Sequence, residues 1–200
     1  MSDTYPVFLK GEITEPLSRW TWLIKWFLLI PHFIILVFLW IGFCVSWIIS
    51  LFAILFTGVY PMELFNFNVG VLRWTWRVGF YGYFALGTDQ YPPFTIESVD
   101  YPADLQIEYP ENLSRGLVLV KWWLLAIPHY IIVTFFQGGG GPRNSGLIMV
   151  LAIFAGIVLL FKGSYPRDMF DLIMRMNRWS MRVGAYAAHM TDKYPPFRLD

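Results

Sequence analysis

The stretch KWFLLIPHFII (residues 25–35) places Pro31 and His32 inside an otherwise apolar run. A second stretch, KWWLLAIPHYII (residues 121–132), repeats the same Pro-His pair in the same setting. Proline weakens a helix interior and an imidazole is costly in hydrocarbon, so a single occurrence could be chance. Two occurrences indicate a requirement, and they predict that the chain contains two related halves.

The two halves match along nearly their whole length, with a period of about 100 residues. We therefore predict a tandem duplication with a first repeat over 1–100 and a second over 101–200. The matching segments are YPVFL (5–9) with YPADL (101–105), LSRWTWLIKW (17–26) with LSRGLVLVKW (113–122), GVYPMELF (58–65) with GSYPRDMF (163–170), RWTWRVGFYG (73–82) with RWSMRVGAYA (178–187), and TDQYPPF (88–94) with TDKYPPF (191–197).

The composition is that of a membrane protein, with 56% hydrophobic and only 14% charged residues. The run from Trp26 to Met62 contains no charged residue, and the run from Trp122 to Phe161 contains only Arg143, within GGGGPRNSG. Roughly 20 apolar residues cross a bilayer, so each run is long enough for two spans. We predict four transmembrane helices in two hairpins, with the first turn near Gly42. The predicted spans are 20–40, 42–60, 117–136 and 146–162.

An amphipathic helix is predicted after each hairpin, over 62–86 and 167–190, and is expected to lie in the headgroup layer. Short extended pieces bounded by Tyr-Pro pairs predict about four cytosolic β-strands, in YPVFL (5–9), FTIESV (94–99), LQIEY (105–109) and PPFRL (195–199). The fold class is therefore an all-α membrane protein with a small cytosolic sheet. Each amphipathic helix carries a charged stripe whose arginines could contact lipid phosphates or acidic residues of a neighbouring segment, or could simply be solvated. The arginines are Arg73, Arg77, Arg178 and Arg182.

The recurring motifs LSR, KW, IPH, Gly-x-Tyr-Pro, RWxxRV and TDxYPPF resemble an uncharacterised bacterial membrane family, domain of unknown function 4389. Two copies of the pattern cover nearly the entire chain. One departure is GLVLV (116–120), which lacks the tryptophans of the matching WTWLI. The resemblance implies a bacterial integral membrane protein, and it brings neither an activity nor catalytic residues.

Pro31 and Pro128 are predicted to kink their helices and to free the carbonyl groups four residues earlier. A buried polar side chain would then donate to each freed carbonyl, because hydrocarbon leaves no other donor. Alternatively, His32 and His129 lie at equivalent depths on facing helices and form a haem, metal or proton site. His189, which has no histidine counterpart in the first repeat, is predicted to lie on the surface.

No nucleophile elbow, HExxH, P-loop, dinucleotide fingerprint or CxxC motif is present, and the lone Cys44 lies within a span. We therefore predict no catalytic residues, no metal and no cofactor. Basic residues sit beside the spans and are balanced by acids, which argues against nucleic-acid binding. The predicted function is a non-catalytic membrane scaffold or accessory subunit that contacts anionic lipid headgroups or a protein partner. The alternatives are a small transporter or proton-conducting protein that uses the two histidines, and a membrane haem protein.

The basic residues predict an orientation. Of the 15 Lys and Arg residues, all except Arg143 fall on one side of the four predicted spans. Because basic flanks are retained in the cytoplasm, both termini are expected to be cytosolic in a bacterial inner membrane. No signal peptide is expected before the first span. Membrane lipids, a membrane-protein partner or a second copy of the chain are the expected partners.

Overall fold

The structure is a computed structural model that describes residues 5–138 and 146–199. Within these residues the chain is mostly helical and carries one two-stranded sheet. The elements in chain order are β1 (Val7–Gly11), a 3-10 turn (Thr21–Leu23), α1 (Lys25–Leu28), α2 (Ile30–Thr57), α3 (Met62–Tyr81), β2 (Ala103–Ile107), α4 (Leu117–Val120), a π-helical turn (Lys121–Leu125), α5 (Ile127–Gln137), α6 (Leu147–Lys162) and α7 (Arg167–Ala187).

The two strands form an antiparallel ribbon that lies on the symmetry axis of the duplication. Leu9 of β1 pairs directly with Leu105 of β2. Leu9 and Leu105 are the last residues of the matching segments YPVFL and YPADL. The same symmetry relates the pair Phe8–Gln106 to the pair Asp104–Lys10. The pseudo-two-fold axis that relates the repeats therefore passes through the ribbon beside Leu9 and Leu105.

The repeats exchange their leading strands across this axis. β2, which begins the second repeat, packs on α3 of the first, and β1 packs on α7 of the second. Leu105 of β2 and Val71 and Phe80 of α3 have no exposed surface and belong to one hydrophobic cluster. Each half therefore depends on the other for a strand of its core.

The first apolar run forms a single helix, so the predicted turn near Gly42 is wrong. α2 is continuous over 28 residues from Ile30 to Thr57 and ends at Gly58, whose φ of 78° is left-handed. Gly42 lies at a close helix contact, because a Cβ there would approach the Phe67 ring to 3.1 Å. The absence of a side chain at Gly42 therefore allows α3 to pack closely against α2, and this contact explains the glycine without a turn.

The second run contains the same helix in two pieces. α5 begins at the second Ile-Pro-His as α2 begins at the first, and α6 ends at Gly163, which is left-handed like Gly58. A Cβ on Gly146 would overlap the backbone of Gln137 and Gly138, so α6 starts where α5 stops. α5 and α6 therefore correspond to the two parts of α2, which we call together the α5–α6 segment. Most of the glycine-rich stretch predicted as a turn, residues 139–145, lies outside the described residues.

Four transmembrane helices are not confirmed. Among the described residues, α2 alone is long and apolar enough to cross a membrane, and residues 117–137 satisfy the same test only as one segment bent by 48°. α6 has 16 residues. Only 22% of the most apolar window of α2 is buried, so most of its surface is uncovered.

The predicted interfacial helices are instead central. α3 packs against β2 on one side and α2 on another, which leaves Trp76 2% exposed. α7 lies correspondingly between β1 and the α5–α6 segment. The stretches predicted as further strands, FTIESV (94–99) and PPFRL (195–199), contain no strand in the described structure, so the sheet has two strands rather than about four.

The continuity of α2 can be measured by the distance between its ends. We expect spin labels on cysteines replacing Phe33 and Phe56, in a Cys44→Ser background, to lie about 35 Å apart, because an α-helix rises about 1.5 Å per residue. Both positions are exposed, so the labels should not disturb the core. Pulsed electron–electron double resonance measures the distance between the two labels. A separation near 10–15 Å, as expected for a helical hairpin, would contradict a continuous α2.

Candidate functional site

The Ile-Pro-His histidine of the first repeat is enclosed by aromatic residues of the same repeat. The indole N–H of Trp74, from RWxxRV, donates to Nδ1 of His32 at 2.9 Å. The ring of Phe94, from TDQYPPF, stacks on the imidazole with centroids 4.0 Å apart, and Tyr91 lies at 5.0 Å. His32 has no exposed surface. Three motifs far apart in sequence thus meet at one imidazole.

The second repeat builds the same cluster. Trp179 donates to Nδ1 of His129 at 3.1 Å, and Phe197 stacks on the ring at 4.1 Å, with Tyr194 at 4.9 Å. The two imidazoles make no contact with each other, and each is surrounded by its own repeat. The facing histidine pair required by the haem and proton-site hypotheses is therefore not formed.

The hydrogen bond from tryptophan fixes the chemistry of each imidazole. Because the indole N–H can only donate, Nδ1 must carry a lone pair, and the neutral ring holds its proton on Nε2. Protonation of Nδ1 would break the bond. Nε2 is buried in both rings, next to the backbone of Pro92 in one case and Pro195 in the other. The arrangement suits a fixed, neutral packing element.

Each predicted kink lies at a break between two helical segments, and the proline lies at the start of the second segment. Pro31 and Pro128 lie in the first turn of α2 and α5, where a missing N–H leaves no intrahelical bond unmade. In the second repeat the chain bends by 48° at this break.

A tyrosine of TDxYPPF donates to a carbonyl beside each of these breaks. Tyr91 donates to the carbonyl of Leu28 at 2.8 Å, and Tyr194 donates to the carbonyl of Leu125 at 3.2 Å. The acceptors lie one residue after the predicted Phe27 and Leu124, and the donors are exposed tyrosines rather than the buried polar side chains that we expected.

Each KW motif contributes a buried ammonium group. Lys25 is 1% exposed; its Nζ donates to the carbonyl of Thr88 at 2.7 Å and pairs with Asp89 at 3.0 Å. The other carboxylate oxygen of Asp89 accepts from the backbone N–H of Ser18 at 2.5 Å. A buried charge is tolerated only with such partners.

The second repeat reproduces this network with Lys121 and Asp192. The Lys121 Nζ lies 2.7 Å from Asp192 and 3.1 Å from the carbonyl of Thr191, and Ser114 donates its N–H to the same aspartate at 2.6 Å. Sequence analysis missed these pairs, although Lys and Asp recur at matching positions of both repeats. The recurrence of both residues was the signal available in the sequence, because a lysine that is buried in each repeat needs an acidic partner in each repeat.

In the first repeat the arginine stripe binds protein rather than lipid. Arg77 is fully buried; it donates to the carbonyl of Glu97 at 2.8 Å and pairs with Asp104 at 3.2 Å. Arg73 pairs with the same carboxylate at 3.0 Å and donates to the carbonyl of Ile96 at 2.9 Å. Of the two predicted contacts for Arg73 and Arg77, the structure therefore shows the one with an acidic residue of a neighbouring segment rather than the one with lipid, because both guanidinium groups hold β2 and the segment before it against α3.

The second repeat lacks the carboxylate at the corresponding place. Phe8, 42% exposed, stands where β2 has Asp104. A cavity of about 350 Å³ lies here, and its lining includes Lys10, Arg178 and Arg182. The Arg182 guanidinium also lies 5.8 Å from the Tyr5 ring. Lipid contact by Arg178 and Arg182 stays a prediction.

His189 is buried, contrary to the predicted surface position. It has no exposed surface, stacks on Trp47 of α2 at 4.9 Å, and adopts a left-handed φ of 66°. Burial, with a smaller contribution from the Lys121 charge, lowers the pKa of His189 to about 3. Leu86 holds the matching place in the first repeat with a φ of 53°.

No metal centre emerges from the described residues. Within 5–138 and 146–199, no group of three or more His, Cys, Asp or Glu side chains is arranged to hold an ion.

The indole–imidazole bond should be measurable as a coupling energy. His32→Leu leaves the buried Trp74 N–H without an acceptor, which we expect to cost about 1–3 kcal/mol of unfolding free energy in mild detergent. Trp74→Phe removes the donor. The double variant should cost less than the sum of the single variants, and strict additivity would show that the bond contributes nothing. His129→Leu with Trp179→Phe provides the matched control in the second repeat.

His189 should make stability depend on pH below neutrality. The folded state keeps the ring neutral down to a pKa of about 3, whereas the unfolded chain binds a proton near pH 6.5. Stability should therefore fall as the pH decreases from about 6.5, by up to ~1 kcal/mol per pH unit. His189→Leu, which installs the residue of the first repeat in the same backbone conformation, should reduce this slope between pH 7 and 5. Equal slopes for both proteins in chemical unfolding would contradict the assignment.

Comparison with known proteins places the chain in a family without assigning it an activity. No curated protein and no solved structure matches it. One family model, described as Domain of unknown function (DUF4389), matches residues 19–95 and again residues 117–198. Each matched region contains one KW, IPH, RWxxRV and TDxYPPF set, the motifs that build one histidine cluster and one lysine–aspartate network. The chain therefore belongs to the DUF4389 family and carries two tandem copies of its domain.

Proposed function

We propose that this protein is a non-catalytic integral membrane scaffold, or accessory subunit, that keeps α2 and the α5–α6 segment in lipid. Its cytosolic face contacts anionic headgroups or a protein partner. The observation that carries the proposal is the uncovered apolar surface of α2.

The side chains that α2 leaves uncovered are large and apolar. Phe38 is 69% exposed and Phe56 is 72% exposed, and Phe161 at the end of α6 is 77% exposed. A core helix of a water-soluble protein would bury such residues, and a continuous apolar surface of this extent requires a lipid or protein covering. Lipid is the covering that suits a helix whose backbone bonds are all internal.

The recurring polar residues support a structural rather than a catalytic role. Lys25 and Lys121 are buried and form ion pairs with Asp89 and Asp192. Nδ1 of each Ile-Pro-His histidine accepts a hydrogen bond from a tryptophan. Catalytic groups need a reachable reacting atom. A set of side chains that satisfies itself internally is better suited to holding a shape against which another molecule can bind.

A conducting path through the histidines gains no support from these contacts. His32 and His129 are enclosed in separate clusters, and neither has exposed surface.

The proposed location is the bacterial inner membrane, with both termini on the cytosolic side. The distribution of basic residues supports it, since Arg143 alone falls within the long apolar runs.

Membrane residence can be tested by extraction. The protein should remain in the membrane fraction after alkaline carbonate and should leave it only with detergent. Replacing Phe38, Ile41 and Val45 together by Ser, at exposed positions of α2, should release a substantial fraction while circular dichroism keeps the helical signal. Phe8→Ser, an exposed apolar position on the ribbon, is the control and should change nothing. Release of the unaltered protein by carbonate would refute the proposed function.

A further inference from the structure

We infer that α2 and the α5–α6 segment lie parallel to the membrane surface, within one leaflet, and that Arg19 and Arg115 hold the headgroups at their ends. This inference rests on the proposed membrane residence. It replaces the four crossings expected from hydropathy by a monotopic arrangement, in which the ligand is the phosphate layer of a single leaflet.

The symmetry axis has a polar end and an apolar end. The axis passes between Leu9 and Leu105, whose side chains are buried and point into the core. The opposite face of the ribbon carries the exposed Phe8 and Lys10. The α3 residues that contact α2 and those that contact β2 lie on roughly opposite faces of the helix, so the ribbon and α2 lie on different sides of α3; they are Thr75 and Phe67 towards α2, and Arg73 and Arg77 towards β2. One end of the axis is thus polar, and the long apolar helices lie towards the other.

The two ends of α2 lie at equivalent places in the two repeats. α2 starts beside the LSR segment of its own repeat, where Ser18 is tied through Asp89 to Lys25. It ends at the LSR segment of the other repeat, where the N–H of Leu113 donates to the carbonyl of Gly58 at 2.9 Å. The line joining two points related by a two-fold rotation is perpendicular to the axis. α2 therefore runs across the axis.

The second repeat makes the reciprocal connection. The end of α6 at Gly163 lies against the guanidinium of Arg19 in the first repeat. The equivalent contact at the end of α2 is between Arg115 and the carbonyl of Thr57, at 3.3 Å. α2 and the α5–α6 segment thus cross the axis in opposite directions and share one layer, where Met149 of α6 faces Val45 and Ile48 across an apolar groove.

The cost of burying charge decides how the axis is oriented in the membrane. For α2 to cross the bilayer, the axis would have to lie in the membrane plane, with the ribbon at mid-depth. Lys10 and Glu12, whose side chains are 52% and 70% exposed, would then face hydrocarbon. Charged side chains at that depth are strongly disfavoured. An axis along the membrane normal avoids this cost, because it holds the ribbon in water and lays α2 flat.

Residues at the rim of the apolar layer match an interfacial position. Exposed indoles lie just before the long helices, at Trp20, Trp26 and Trp123. Tryptophan concentrates at the depth of the headgroups, and arginine beside an apolar helix meets lipid phosphate. Arg19 and Arg115, which are both exposed and occupy the same place in the two repeats, lie at the ends of α6 and α2. They are therefore the headgroup contacts in this arrangement.

Depth measurements distinguish a flat helix from a crossing one. Nitroxide labels on cysteines at Ile34, Val45 and Phe56, which are exposed and share one face of α2, should report equal depths within about 5 Å when each is placed in a Cys44→Ser background in reconstituted vesicles. A crossing helix would place the Val45 label at the bilayer centre, about 17 Å deeper than the other two, because it is 11 residues from each. That result would overturn the inference while leaving membrane residence intact. Loss of the protein from carbonate-washed membranes would instead sink the proposed function itself.

The headgroup contacts have a matched control on the ribbon. Arg19→Gln and Arg115→Gln should each weaken binding to phosphatidylglycerol-containing vesicles by about fivefold, with little effect on pure phosphatidylcholine vesicles. Lys10→Gln removes the same charge at the polar end of the axis and should leave binding unchanged. If Lys10→Gln loses binding and the rim variants keep it, the protein faces the membrane with its other end, and the inference fails.

Discussion

A buried ammonium group at the entrance to each long helix organises the rest of the molecule. Lys25 and Lys121 have essentially no exposure, so each needs an anion and a carbonyl in fixed positions, and the Thr-Asp of TDxYPPF supplies both. Because the aspartate is held there, the Tyr-Pro-Pro-Phe that follows it in TDxYPPF lies over the start of the helix. The tyrosine then reaches a backbone carbonyl, and the phenylalanine covers the histidine. Removing one partner of such a pair would leave an uncompensated charge, which explains why the motif residues occur together.

Features that recur in both repeats were predicted correctly from the sequence, whereas features indicated only by composition were not. The duplication, the helical character and the family follow from motifs that appear twice. The turn near Gly42 was wrong because a charge-free run of this length reads equally as two short helices or one long one, and glycine serves a close contact as well as a turn. The glycine-rich insertion in the second repeat suggested a hairpin that the first repeat does not form.

The contacts of individual side chains were harder to predict than the positions of the helices and strands. The spacing of Arg73 and Arg77 placed them correctly on one face of α3, yet nothing local showed that a strand from the other repeat would cover that face and bring Asp104. His189 was misplaced for the same reason, since its burial depends on Trp47 in the first repeat. Contacts across the duplication are the part of the site that periodicity within one repeat cannot reveal.

The exchanged strands bear on how a chain with a single copy of this domain could exist. One repeat alone would expose the edge of its leading strand and leave its α3 or α7 uncovered, and unpaired strand edges associate readily. Two identical repeats could satisfy both needs by pairing through the ribbon, with the two leucines at its centre meeting across a true two-fold axis. The duplicated chain is then the covalent form of such a homodimer. Once fused, its halves were free to diverge, and Asp104 in one strand against Phe8 in the other is a difference that no symmetric dimer could hold.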